Sequence, residues 1–433
     1  MLNTLYTWIF RLALPLILLR LWWRGRRQPA YRRRWRERCG RVPARASRAP
    51  LIWVHSVSVG ETLAAVPVIE ALAARHSDWQ WLVTTTTPTG SERVQSALRP
   101  LLGGRLLHYY LPYDLPECLN PFLDALRPTA LVIIETELWP NLLAVCARRD
   151  IPTLLANARL SEKSARGYAR VPRLTGRMLA SLTRVVAQYP ADAERFVALG
   201  MPAERVTACG NIKFDLEIDL GLASEAQALA HRWHGGGSRP RPVWLAASTH
   251  AGEDELVLDA FARVRRDRPE LADLLLVLVP RHPQRFDSVA RLCRERGLKV
   301  LRRSSGGQPQ LSHQVLLGDT MGELLRFYGA CDVAFVGGSL VPVGGHNMIE
   351  PAAWCVPVVC GPHLYNFATV AQLLREAGGL SVVEDAAQLA AQLTQWLSDD
   401  DARRAAGERA RAVAEANSGA LQRLLAEIEL LMD

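Results

Sequence analysis

Residues 49–433 predict a two-domain α/β protein in which each domain is a doubly wound parallel sheet covered by helices. Three observations carry that prediction. Short apolar runs recur along the chain, each closed by a Gly, Ser, Thr or Pro turn and followed by a helix-like stretch. Runs that are apolar at nearly every position belong to strands buried on both faces, and strands alternating with helices belong to parallel sheets. The series breaks once, at HRWHGGGSRPRP (231–242), a Gly/Pro/Arg stretch of linker composition. Finally, 433 residues with 49% hydrophobic and 22% charged side chains suit two or three globular domains.

The first element is an anchor and its flank, residues 1–48. Leu5–Trp23 reads LYTWIFRLALPLILLRLWW and is followed by RGRRQPAYRRRWRERCGR. Thirteen arginines and one glutamate give this segment +12; the whole chain carries +9, so residues 49–433 carry −3. Positive charge concentrated beside an apolar segment favours an anionic membrane surface as partner over nucleic acid. A signal peptide has its charge before the apolar core and a small-residue cleavage site after it, the reverse of this order. Arg11 and Arg20 fall on opposite sides of a helix, so no single polar face exists. The segment is expected to anchor the protein, spanning the bilayer or lying in its interface. Eight scattered cysteines without a C-x-x-C pair fit a reducing compartment and no zinc site.

In the first domain, residues 49–215, LIWVH, WLVTTT, ALVIIE, PTLLAN, RVVAQ and RVTACG read as buried strands. The second, residues 216–405, continues with VWLAAS, LLLVLVP, QVLLGD, VAFVGG and VPVVCG, and residues 406–433 read as a C-terminal helix. Open α/β sheets bind ligands beyond the carboxyl ends of their strands, so a cleft between two such domains is the expected site. Polar residues just after strands are therefore its candidates.

Glu61 follows the strand LIWVH in HSVSVGE. Two readings apply to it: S-x-x-E makes Ser58 an N-cap and Glu61 its capping-box partner, or the carboxylate faces substrate as a base. TGSE (89–92) is read as capping alone. Glu135 ends ALVIIE, where burial without partners is costly. Lys213 in GNIKFD lies near the domain junction. In the second domain, FVGGSLVPVGGHNMIEPAAW (335–354) runs strand, Gly-rich loop, helix, an arrangement whose backbone N–H groups can hold a phosphate, with Glu350 available to ribose hydroxyls. It matches neither a P-loop nor a dinucleotide fingerprint. STHAGE (248–253), PRH (280–282) and GDTMGE (318–323) end three further strands, and Arg281 offers a fixed charge for phosphate or carboxylate. His231 and His234 are read as solvated linker residues. Asp399 to Asp401 begin a helix rather than a metal site, and no metal or cofactor is expected.

Taken together, HSVSVGETLAA, TPTGSERVQSA, YLPYDLP, ETELWPN, NARLS, GNIKFD, VPRHPQRF, GDTMGEL, FVGGSLV and GGHN resemble the Kdo transferases, which add 3-deoxy-D-manno-octulosonic acid (Kdo) to the lipid A precursor of Gram-negative bacteria. The resemblance implies a GT-B glycosyltransferase with two Rossmann-like domains, acceptor on the first and CMP-Kdo on the second, at the cytoplasmic face of the inner membrane. It implies Glu61 as general base and Glu135 and Lys213 as stabilisers of the transition state. It implies CMP contacts from Pro280, Arg281, Met321, Gly322, Glu323, Asn347, Met348, Ile349 and Glu350. The family usually reads H-N-P-x-E; Met348 stands here in place of the proline, which is expected to loosen the helix start and leave an extra N–H for phosphate. A nucleotide-sugar epimerase or hydrolase, and a non-catalytic membrane scaffold, are the alternatives.

Overall fold

The computed structural model describes residues 2–26, 28–235 and 240–432. It divides into two units, Met1–Asp215 with Ser418–Asp433, and Leu216–Asn417. The first unit holds a seven-stranded, all-parallel sheet of β1 (Leu51–His55), β2 (Gln80–Thr85), β3 (Leu106–Tyr110), β4 (Ala130–Ile134), β5 (Thr153–Ala158), β6 (Arg184–Ala187) and β7 (Val206–Ala208). Their order is β3-β2-β1-β4-β5-β6-β7, so the chain winds outward from β1, returns, and winds the other way from β4. The gap between the carboxyl ends of β1 and β4 is the switch point where such sheets bind ligands.

The second sheet is also parallel: β8 (Val243–Thr249), β9 (Leu275–Pro280), β10 (Val300–Arg302), β11 (Val315–Leu317), β12 (Val333–Val336), β13 (Val358–Cys360) and β14 (Leu380–Val382), in the order β10-β11-β9-β8-β12-β13-β14. Its switch point lies between β8 and β12.

Burial on both faces explains the continuous apolar strands. Along β1, Ile52 and Val54 join one core with Val83, Val132 and the helix Val59–Arg75, while Leu51 and Trp53 join the opposite core with Leu82, Ile133 and Phe122. Three strands escaped the sequence reading, β3, β10 and β14, and all lie at sheet edges. In β3 only alternate residues are buried, and β10 is half-exposed throughout, so neither shows a continuous apolar run.

Other expectations are corrected. The break near the C-terminus falls at 417/418 rather than 405/406: the helix Asp400–Ala416 stays with the second unit, and the helix Ala420–Glu429 returns to the first, burying Ala420, Leu424, Leu425 and Ile428 in its core. The stretch 231–242 is not all linker. His231 and His234 close the helix Leu220–His234, and His234 Nδ1 donates to the Arg241 carbonyl at 2.9 Å; residues 236–239 of that stretch lie outside the described residues. Thr87, not Thr89, caps the helix Pro88–Leu102, accepting from the Gly90 amide at 3.2 Å. Part of the Arg-rich flank is structural. Arg34 binds Glu37, Ser91 and the His108 carbonyl, and buried Arg38 donates to the Thr86 carbonyl at 2.9 Å while lying over Tyr110.

Candidate active site

In the first unit the polar residues gather where β1, β4 and β7 end. Ser58, in extended conformation, caps the helix Val59–Arg75: its Oγ accepts from the Glu61 amide at 3.5 Å and donates to Glu61 Oε1 at 2.9 Å. Glu61 Oε2 accepts from the Val57 amide at 2.6 Å. The capping reading is thus correct, with the reach-back bond landing one residue before the cap. It does not exhaust the carboxylate, because each oxygen takes one hydrogen bond and has lone-pair capacity left, and the residue is half-buried rather than sealed.

Glu135 leaves β4 at φ 62°, a left-handed conformation that costs a non-glycine residue about 1–3 kcal/mol. The strain turns its side chain toward Lys213, whose Nζ donates to Oε1 at 2.7 Å. Lys213 is itself held on the short turn Ile212–Phe214, where the Asn211 side chain accepts from its amide at 3.0 Å. Burial raises the Glu61 carboxyl above its usual range against the Val57 and Ser58 hydrogen bonds; the Glu135 charge adds to the rise and Lys213 opposes it. Glu61, Glu135 and Lys213 therefore share one electrostatic neighbourhood. A fourth member, Glu137, was not anticipated. Burial and the Glu61 and Glu135 charges push its carboxyl up to about 7. Its position two residues past Glu135 in ETELWPN was the available signal, but it lies beyond the strand end on which sequence reading concentrates.

In the second unit, parallel register brings the turns after β11, β9, β8 and β12 to one edge of the sheet. The first turn of the Gly-rich loop after β12 departs from expectation. Three of its amides, those of Gly338, Ser339 and Leu340, are already taken by a carboxylate of the same unit. Glu253, fully buried, accepts from the His250 and Gly338 amides through Oε2 at 2.8 and 2.7 Å, and from the Ser339 and Leu340 amides through Oε1, both at 2.9 Å. The amides of Gly344 and Gly345 bind the Gly338 carbonyl. Gly337 is required by this packing, since a Cβ there would lie 2.6 Å from the Ser248 carbonyl oxygen and 2.9 Å from Glu253 Oε2.

Side-chain charge is also available to an anion on this side of the unit. Arg281, half-buried after β9, is felt electrostatically at His250, His282, His346 and Glu350, so the turns 248–253, 280–282 and 344–350 converge. His250 and His346 stack with ring centroids 5.1 Å apart and their Nε2 atoms 2.8 Å apart, so one imidazole donates and the other accepts. Burial pushes His346 down to about 3, with Arg281 and the neighbouring histidines adding to the fall. Asn347 accepts from the Ile349 amide at 3.1 Å and donates to Glu350 Oε1 at 3.0 Å, fixing the start of the five-residue helix Ile349–Ala353. The Met348 side chain is fully buried, with its Sδ 3.5 Å from Cys360 Sγ. Pro280 ends β9. Met321 is 62% exposed and Gly322 adopts φ 83°, while Glu323 is engaged by Arg303 at 2.8 Å. Burial alone would raise the Glu323 carboxyl, but Arg303, Thr320 and Arg326 together hold it below its usual range. Glu323 is thus held by an arginine-paired cluster on its own turn.

Residues 33–216 match the family described as 3-deoxy-D-manno-octulosonic-acid transferase (kdotransferase), and residues 254–413 match glycosyl transferases group 1. A 3-deoxy-D-manno-octulosonic acid transferase of Haemophilus influenzae is 39% identical over 422 residues, covering 97% of this chain and 96% of the relative. One from Bordetella pertussis is 39% identical over 434 residues, covering 98% of each. Among solved structures, a glycosyltransferase from Rickettsia africae is similar in fold, with TM-score 0.57 at 13% identity, covering 89% of this chain and 98% of the other.

Proposed function

The chain belongs to the Kdo transferase family, and from that premise we propose that Glu61 is the base that activates the acceptor hydroxyl, that CMP-Kdo is the donor, and that the acceptor is the lipid A precursor. The protein is a glycosyltransferase that moves Kdo in lipopolysaccharide core biosynthesis. Its place of work is the cytoplasmic face of the bacterial inner membrane, with residues 2–24 as the attachment.

The observation that carries this reading is the half-buried Glu61 carboxylate beside the Glu135–Lys213 pair at the switch point of the first sheet. A sugar hydroxyl is a weak nucleophile, and a carboxylate of raised basicity takes its proton as the new bond forms. The acceptor oxygen attacks C2 of Kdo, the C2–O bond to the CMP phosphate breaks, the proton passes to Glu61, and CMP departs with the electron pair. Direct displacement of this kind inverts the anomeric centre. The leaving phosphate needs a cation. Arg281 supplies it, and Asn347 and Glu350 hold the nucleotide beside it. Pro280, Met321, Gly322, Glu323, Met348 and Ile349 shape the turns around it.

Purified protein incubated with CMP-Kdo and lipid A precursor is expected to yield a lipid heavier by one or more Kdo units, with CMP release dependent on acceptor. Equal CMP release without acceptor would assign a donor hydrolase instead. Because Glu61 works unprotonated, transfer is present above its pKa and lost as pH falls through it. Lys213 opposes the rise of that pKa, so Lys213→Ala is expected to move the acidic limb of the kcat/KM profile to higher pH. An unmoved limb would detach Lys213 from the base.

A further inference from the structure

The helix α1 (Leu2–Arg24) has two opposed faces. One docks on the first unit: Thr7 Oγ1 donates to Asn141 Oδ1 at 3.0 Å, and Arg11 binds both Glu117 oxygens at 2.7 and 3.0 Å. On the other, Leu5, Trp8, Ile9, Leu12, Leu16, Leu19 and Trp23 are each 57–77% exposed. At about 100° per residue these seven fall within roughly 100° of arc, a single apolar row. Thr4–Arg24 is long and apolar enough to cross a bilayer, yet crossing would carry Asn141 and Glu117, and the unit they belong to, toward hydrocarbon. Lying in the leaflet surface buries the row and leaves the docked face on protein.

At the C-terminal end of this row a pocket opens between Trp23, Arg24, Arg26, Gln28 and Tyr31. Arg24 lies over the Tyr31 ring at 5.0 Å, and Arg26 and Arg32 lie over Trp22 at 5.0 and 4.7 Å. Arg32 Nε donates to the Trp22 carbonyl at 3.0 Å and holds that ring in place; guanidinium groups stacked on an aromatic face, as Arg24 and Arg26 are, present their donors in their own plane, the arrangement that meets phosphate oxygens side-on. Tryptophan and tyrosine at the headgroup level, with arginines among them, match the depth at which lipid phosphates lie. We propose that this pocket is a seat for the phosphodiester headgroup of an anionic glycerophospholipid, which fixes α1 in the plane of the leaflet. The proposal rests on the membrane attachment proposed above and is separate from the catalytic assignment.

The test is vesicle flotation of the full chain on phosphatidylethanolamine vesicles with and without phosphatidylglycerol. Each arginine near an anionic leaflet contributes about 1 kcal/mol, about fivefold in partitioning. Arg24→Gln/Arg26→Gln is therefore expected to weaken binding about 20-fold on phosphatidylglycerol vesicles and less than twofold on neutral ones. Arg33→Gln/Arg36→Gln, removing exposed arginines outside the pocket, is expected to weaken it several times less, and Leu12→Glu/Leu16→Glu to abolish binding to both. In phospholipid-free detergent all three variants are expected to keep Kdo transfer within twofold, which separates this proposal from the functional one. Equal losses in the two arginine pairs would reduce the pocket to diffuse charge and overturn it. A tenfold rise in KM for the lipid acceptor in detergent would give the pocket to the acceptor and overturn it as well.

Discussion

Glu61→Gln is expected to lower kcat by about 10²–10⁴-fold, the range that positioned proton transfer supplies, while leaving CMP affinity within about twofold. The substitution keeps one carbonyl oxygen to accept from Val57 or Ser58, so the helix Val59–Arg75 loses only part of its cap, about 1 kcal/mol of stability. Single-turnover kinetics with CMP-Kdo and acceptor, beside CMP titration of the same sample, read the two effects separately. Retention of most turnover would remove Glu61 from the chemistry and leave it a capping residue. Parallel losses of turnover and of thermal stability would say the same.

Replacing Glu253 is expected to have the largest effect on stability in the second unit. Four backbone amides converge on a fully buried carboxylate, and charge-assisted bonds of this kind have no substitute when the acceptor leaves. Glu253→Gln turns an NH2 group toward two amide donors, leaving donors facing donors, at a cost of about 3 kcal/mol or more. The expected result is a lower denaturant midpoint for the second unit and weaker CMP binding, since Gly338, Ser339 and Leu340 precede the Asn347–Glu350 turn in the same loop. An unchanged midpoint would mean that the loop holds itself without the carboxylate.

The buried strands were legible because a strand covered on both faces must be apolar at every position, and that constraint acts on consecutive residues. Ser58 and Glu61 were legible as a cap for a similar reason, three residues apart on one turn. Edge strands were not, because an edge is half solvated: β3 mixes His108 and two tyrosines into its run, and β10 ends on arginine. The reading of the Gly-rich loop as a run of open backbone amides fails at Gly338, Ser339 and Leu340, which hold a carboxylate of the same unit. Nothing near residue 338 reveals that its amides are taken by a side chain 85 positions earlier.

Local chemistry along the chain therefore settled the two parallel sheets, the turns that bear polar groups, the family, and Glu61 at the end of its strand. Three-dimensional packing settled how those groups are used. It paired Glu135 with Lys213 across 78 positions, set Glu137 among their charges, spent the loop amides on Glu253, sent the last helix back to the first unit, and docked one face of α1 while leaving the other bare. The division follows from range. Hydrophobic periodicity and helix capping act between residues a few positions apart, whereas charge pairing and amide satisfaction depend on distance in space, which exists only once the sheets have formed.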